Sequence, residues 1–232
     1  MRSSYSFEPI VAKVELMRKT QPKTATTRMR STVVPGQYLG YSLQSTRFLV
    51  RLLQAVEGDS ICLEVFGDVG VEKPDGSVIT EESKSNLITN PLSDRSVSLW
   101  KTVRNWVEAA ATDQLNPAKT SFYLFVAKPK AGDIAGSFHE ASSMDSARAA
   151  LFKAKTILGW NPNGATSLSD TLAPHLHVVF SANQDLVCRI ISRLQILQSD
   201  GNPLDDLRPL LLNKLVSEDA YDEVVRWTHG WV

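Results

Sequence analysis

The chain has 232 residues, 43% of them hydrophobic, and its 25 basic and 25 acidic residues give a net charge of zero. That composition is ordinary for a soluble globular protein, and the length allows one large domain or two small ones with a core that needs neither disulfides nor a structural metal. No segment reaches the ~18–20 apolar residues of a membrane span, and no signal-peptide core is visible, so a cytoplasmic protein is expected.

Charge is unevenly placed. Residues 1–35 carry seven basic residues against two acidic ones, and residues 199–232 carry seven acidic against three basic. The first segment reads as a basic arm that either meets phosphates or is a solvated leader. The two cysteines, Cys62 and Cys188, lie in apolar stretches without CxxC or His/Cys ligand spacing. A zinc site is not expected, and lone thiols suit a reducing compartment.

Leu43, Phe48, Leu49, Leu52, Leu53 and Val56 follow helical spacing up to Gly58. Ser60 to Phe66 reads as a strand with Glu64 inside it, and Asp68–Glu72 and Ser77–Ser85 as two more. Lys73-Pro74-Asp75-Gly76-Ser77 is a turn signal between the last two. Ser93 to Ser96 can cap a helix whose apolar positions are Val97, Trp100, Val103, Trp106 and Val107. Ser121–Ala127 is a nearly continuous apolar run, expected as a strand buried on both faces. Ser142-Ser143 open a helix to about Leu158, and Leu176–Phe180 is either a short strand or the lead-in to a helix. Residues 183–198 are expected as one apolar helix, with one or two more over 204–229. The order predicts an α/β core with a helical carboxyl-terminal part beginning near residue 183.

The chemistry is expected at the hairpin. Pro74-Asp75-Gly76 fits a type I turn closed by a glycine bulge, which sets Lys73 opposite Ser77 and therefore Asp68 opposite Glu82. Opposed residues of an antiparallel pair share a face, and Lys84, two residues on, shares it too. Two carboxylates that close repel each other, and a divalent cation removes the conflict. With an adjacent lysine, the set suits phosphodiester hydrolysis. A one-residue slip would exchange Glu81 for Glu82.

The succession Gly40-Tyr41-Ser42-Leu43-Gln44, Leu63 to Val71, Glu82-Ser83-Lys84-Ser85 and Ser98 to Trp106 resembles the restriction-endonuclease-like effector nucleases of bacterial antiphage defence. The similarity is to the double-stranded DNA endonuclease domain of CBASS effectors, also found at the amino termini of some AVAST and Lamassu proteins. It covers roughly residues 36–130 and, weakly, Gly230-Trp231-Val232. It implies a PD-(D/E)xK domain over residues 36–232, with a central mixed sheet flanked by helices. It also implies Mg²⁺-dependent cleavage of DNA, with Mn²⁺ as a substitute, and activation by oligomerisation.

By that resemblance Asp68 is the metal-binding aspartate and Glu82 stands at the family's Glu or Gln position. Lys84 is the catalytic lysine, Gln44 the supporting helix glutamine, and Glu64 an additional metal ligand. Gly67 stands where the family motif carries proline. Neither a P-loop nor a nucleotide-sensing domain is evident, so the chain is expected to be an excised domain or a subunit of a larger complex. A non-catalytic nuclease-like module that binds nucleic acid or a partner protein is the alternative.

Other residues have less specific readings. Trp100 and Trp106 read as core before base-stacking residues. His175 and His177 would share a strand face without a third ligand. His139 and His229 have no nucleophile partner to place. Lys128 and Lys130 either contact phosphates or belong to a solvated loop.

Overall fold

The structure, a computed structural model, describes residues 35–228 except 86–88, 128–129, 162–167, 200–201 and 215. The basic arm, Lys128, His229 and the Gly230-Trp231-Val232 end therefore lie outside the described residues.

Helix α1 (Pro35–Gln54) leads into strands β1 (Ser60–Leu63), β2 (Val69–Glu72) and β3 (Val78–Ser85). Helix α2 (Val97–Ala111) carries the chain to β4 (Thr120–Ala127). Four helices follow: α3 (Asp133–Glu140), α4 (Met144–Leu158), α5 (Ala173–Ser181) and α6 (Gln184–Ile191). Strand β5 (Leu194–Ser199) then precedes two further helices, α7 (Leu207–Asn213) and α8 (Tyr221–Thr228). The fold is α/β, a five-stranded mixed sheet flanked by helices, with strands in chain order. Strands β1, β2 and β3 pair antiparallel, and β4 and β5 add in parallel. Among the described residues no helix is long and apolar enough to cross a membrane.

The sheet separates two apolar clusters. On one face Phe122, Leu124 and Val126 of β4 pack against Trp100, Val103, Trp106 and Val107 of α2, with α3 to α6 enclosing them. Helix α1 packs against β1, β2 and β3. Its Leu49 and Val50 join Leu207 and Leu211 of α7 and Tyr221 and Val225 of α8 in the smaller cluster. Ser96 caps α2 by accepting from the Leu99 N–H, and Ser143 caps α4 in a reciprocal pair with Ser146, as their positions predict.

Some expectations change, and the alternative left open at Leu176–Phe180 is decided. The predicted helix over 183–198 is α6 followed by β5. The sheet leaves the open side of β4 available, and Leu194-Gln195-Ile196 alternates buried and exposed along it. A continuous apolar run carries no period that separates a buried helix from a buried strand. The carboxyl-terminal part is thus not wholly helical. Leu176–Phe180 lies within helix α5, with Pro174 in its first turn, where the missing N–H is tolerated. His175 and His177 are therefore about 200° apart around a helix and do not share a face. The first strand ends at Leu63, because Glu64 adopts a left-handed conformation (φ 58°) and turns the chain.

Candidate active site

The hairpin forms as its turn residues demand. Gly76 sits at φ 74°, its N–H donates to the Lys73 carbonyl at 2.9 Å, and the Lys73 N–H donates to the Ser77 carbonyl at 2.9 Å. The Asp75 carboxylate accepts from the Ser77 N–H at 2.8 Å. This sets Val69 across from Glu81, so Asp68, one residue beyond the end of β2, falls across from Glu82. Glu82 and Lys84 lie beside Leu124 and Val126, on the α2 face of the sheet.

There the structure brings together four of the five residues expected at the site. Asp68 Oδ1 accepts from Gln44 Nε2 at 2.8 Å, and Oδ2 accepts from the Ser83 N–H at 2.7 Å. Lys84 Nζ donates to Glu82 Oε2 at 2.6 Å and stands 3.9 Å from Asp68 Oδ2. The side chains of Asp68, Glu82 and Lys84 retain 14, 13 and 24% of their exposure, so the constellation is recessed but reachable. Glu64 lies close enough for its charge to act on Glu82. Among the described residues, however, no three His, Cys, Asp or Glu side chains form a group that could hold a metal ion, so Glu64 is not gathered with Asp68 and Glu82.

Burial raises the Glu82 pKa above the ordinary glutamate value; Lys84 opposes the rise, and Asp68 and Glu64 add to it. Glu82 is thus a carboxyl whose ionised form is penalised chiefly by its removal from water. Gly67 shapes the same spot. At φ 129° it occupies a region closed to proline, whose ring holds φ near −65°. A Cβ there would lie 2.7 Å from Thr80 Oγ1 and 3.4 Å from Glu82 Oε1. The absence of proline before Asp68 follows from that geometry. The Thr80 hydroxyl also donates to the Phe66 carbonyl and holds the loop against β3.

Glu81 belongs to the other face. It is fully buried, and its carboxylate accepts from Arg47 Nε at 2.5 Å and Arg51 Nε at 2.7 Å. The Arg47 guanidinium lies over the Phe125 ring and that of Arg51 over Tyr123, while Arg47 also stands 3.7 Å from Asp206. Neither arginine belongs to the sequence motifs that point to the site. Their signal is two cations four residues apart on a helix face shared with Leu43 and Val50, which calls for a buried acid.

The remaining candidates lie elsewhere in the fold or deeper in its core. Trp100 is fully buried, with its indole N–H donating to the Asp94 carbonyl at 2.8 Å, and Trp106 is 3% exposed and packs on Phe122. His139 Nδ1 accepts from the Ile196 N–H at 3.1 Å, tying α3 to β5. His177 meets the edge of Trp160. Cys62 and Cys188 are free thiols. Lys130 is exposed, and its carbonyl accepts from the Asn90 side chain.

The donor set fits a hard divalent cation. Asp68 and Glu82 offer only oxygen, and each Asp68 oxygen accepts one hydrogen bond while keeping a lone pair. A cation between them would relieve both the burial of Glu82 and its repulsion from Asp68. Mg²⁺ sites commonly use one or two carboxylates with waters and substrate phosphate. Comparison with known protein families, curated proteins and solved structures returned no match.

Proposed function

We propose that the chain is a metal-dependent endonuclease with a restriction-endonuclease-like fold, hydrolysing double-stranded DNA with Mg²⁺ or, in its place, Mn²⁺. In this reading it is the cytoplasmic effector part of a bacterial antiphage defence system and acts as a homo-oligomer or within a larger complex. The observation that carries the catalytic reading is the convergence of Asp68, Glu82 and Lys84 at neighbouring strand positions, with Glu81 committed to the opposite face. The defence role rests on the order of sequence motifs from Gly40 to Trp106.

Asp68 and Glu82 would hold the cation, which when bound polarises a phosphoryl oxygen and lowers the pKa of its water. Gln44 and the Ser83 N–H hold the Asp68 carboxylate in one orientation. Lys84 keeps a positive charge beside both carboxylates, where it favours ionisation of Glu82 and can stabilise charge that develops on a phosphate. The alternative, a nuclease-like module that binds without cleaving, is favoured by one feature. Lys84 already pairs with Glu82, which partly balances the charge without a metal.

Plasmid degradation in Mg²⁺ tests the proposal. The chain should nick and degrade supercoiled DNA, and Lys84→Ala and Asp68→Ala should each slow it by at least ~100-fold. Unchanged activity in both variants overturns the site assignment.

A further inference from the structure

A cleft of about 490 Å³ includes the Glu82 carboxyl in its lining. One wall is the loop carrying Val65 and Phe66; the other is the end of α2, with Asn105 and Trp106, and the Gln114 loop beyond it. Its volume lies within the ~300–1,000 Å³ of small-molecule sites.

The two non-glycine residues with positive φ among the described residues, Glu64 and Asp113, each adjoin one of these walls. Both are held outside the regions that side chains prefer, and such outliers concentrate at ligand sites. Val65 keeps 63% of its exposure at the mouth. The Trp106 indole N–H is buried with no hydrogen-bond partner among the described residues.

The chemistry of the lining narrows the occupant. Among the described residues no lysine or arginine lines the cleft, and Glu82 is the charged residue in its lining, so away from that carboxylate the lining is neutral. The walls are apolar and aromatic, and the exposed polar groups are the amides of Asn105 and Gln114. Apolar and aromatic lining beside exposed amide donors and acceptors suits an uncharged heteroaromatic ring, since an amide can pair with a base edge through two hydrogen bonds. Resting on the nuclease reading above, we propose that this cleft takes a single nucleobase next to the scissile phosphate, turned out of the stack. Asn105 and Gln114 are then specificity-determining residues, and Val65, Phe66 and Trp106 form the apolar seat.

Two measurements decide it. Sequencing the ends that the chain releases from a random-sequence DNA library in Mg²⁺ should reveal a base preference at a fixed position beside the cut. The Asn105→Ala/Gln114→Ala double variant should flatten that preference by roughly 5-fold or more, the discrimination expected of one amide–base pair. A parent without preference, or a preference unchanged in the variant, overturns the base pocket and leaves the nuclease reading standing. If no form cuts, saturation-transfer NMR with the four free deoxynucleosides, without metal, decides the pocket alone. Transfer to base protons in the parent that is lost in the double variant and weakened in Trp106→Phe supports the pocket. Absence of transfer, or equal transfer in all three proteins, overturns it.

Discussion

At the scale of single residues, the site is governed by one carboxyl that burial makes costly to ionise. Glu82 has a raised pKa in the folded chain, chiefly from burial. Below the ordinary glutamate value of 4.5 it is protonated both folded and unfolded, and its contribution to stability is fully present. That contribution is lost as pH rises through the higher folded value, because the ionised form must then be kept in a poorly hydrated place. Glu82→Gln keeps the shape and an acceptor for Lys84 but cannot ionise. Without metal, its melting temperature should exceed that of the parent at neutral pH and equal it near pH 4. A gain of about 1 kcal/mol corresponds to roughly 2–4 °C in a domain of this size. Added Mg²⁺ should raise the melting temperature of the parent and leave the variant unmoved, because a cation stabilises only the form that binds it. A variant less stable than the parent at pH 7, or one that still responds to Mg²⁺, removes Glu82 as the stressed metal ligand.

At the scale of elements, α1 is both a support and a part of the site. Its residues Arg47 and Arg51 grip Glu81 on one face of β3, and Gln44, one turn earlier, reaches Asp68 beside the other. The fixed spacing of a helix makes the clamp determine where Gln44 stands. Glu81→Ala leaves two buried guanidiniums without their carboxylate, which costs about 3–5 kcal/mol. Urea denaturation should register that loss in the midpoint, whereas Gln44→Ala should change it little while slowing DNA cleavage. Equal midpoints for Glu81→Ala and the parent are incompatible with a buried clamp. This element also shows why the register could be read while its reason could not. Pro74-Asp75-Gly76 declares its turn locally, and period-two alternation does the rest. That Glu81 meets the arginines and Glu82 the recessed site depends on which face α1 covers, and the strand's own residues do not carry that choice.

For the whole molecule, two apolar clusters on opposite faces hold the sheet between them. The smaller one joins α1 to α7 and α8 through Leu207, which is fully buried. Leu207→Ala should cost about 2–5 kcal/mol, as for other buried leucines. Because the clusters are distinct, native-state hydrogen exchange should speed up selectively in α1, while the amides of α2 and β4 keep their protection relative to global unfolding. Uniform acceleration across both faces would mean that the carboxyl-terminal helices do not anchor α1 separately. Since α1 carries Gln44, this packing links the acidic end of the chain to the candidate site.

Local patterns were enough to place α1, α2, α4, β3 and β4, the caps Ser96 and Ser143, and the pairing of Asp68 with Glu82, because helical spacing, capping hydroxyls and turn residues act over only a few positions. The strand β5 was beyond their reach: whether Leu194-Gln195-Ile196 continues a helix or joins a sheet depends on the hydrogen-bonding edge that β4 leaves open, which is distant in sequence. The same holds for the site that opens from the hairpin. Asp68, Glu82 and Lys84 could be named from their order. Gln44 on the Asp68 carboxylate, Gly67 against Glu82 and Glu81 between two arginines required a helix and a loop to be folded onto both sides of one strand. Burial, which raises the pKa of Glu82 and encloses Glu81 between Arg47 and Arg51, exists only once those layers have closed.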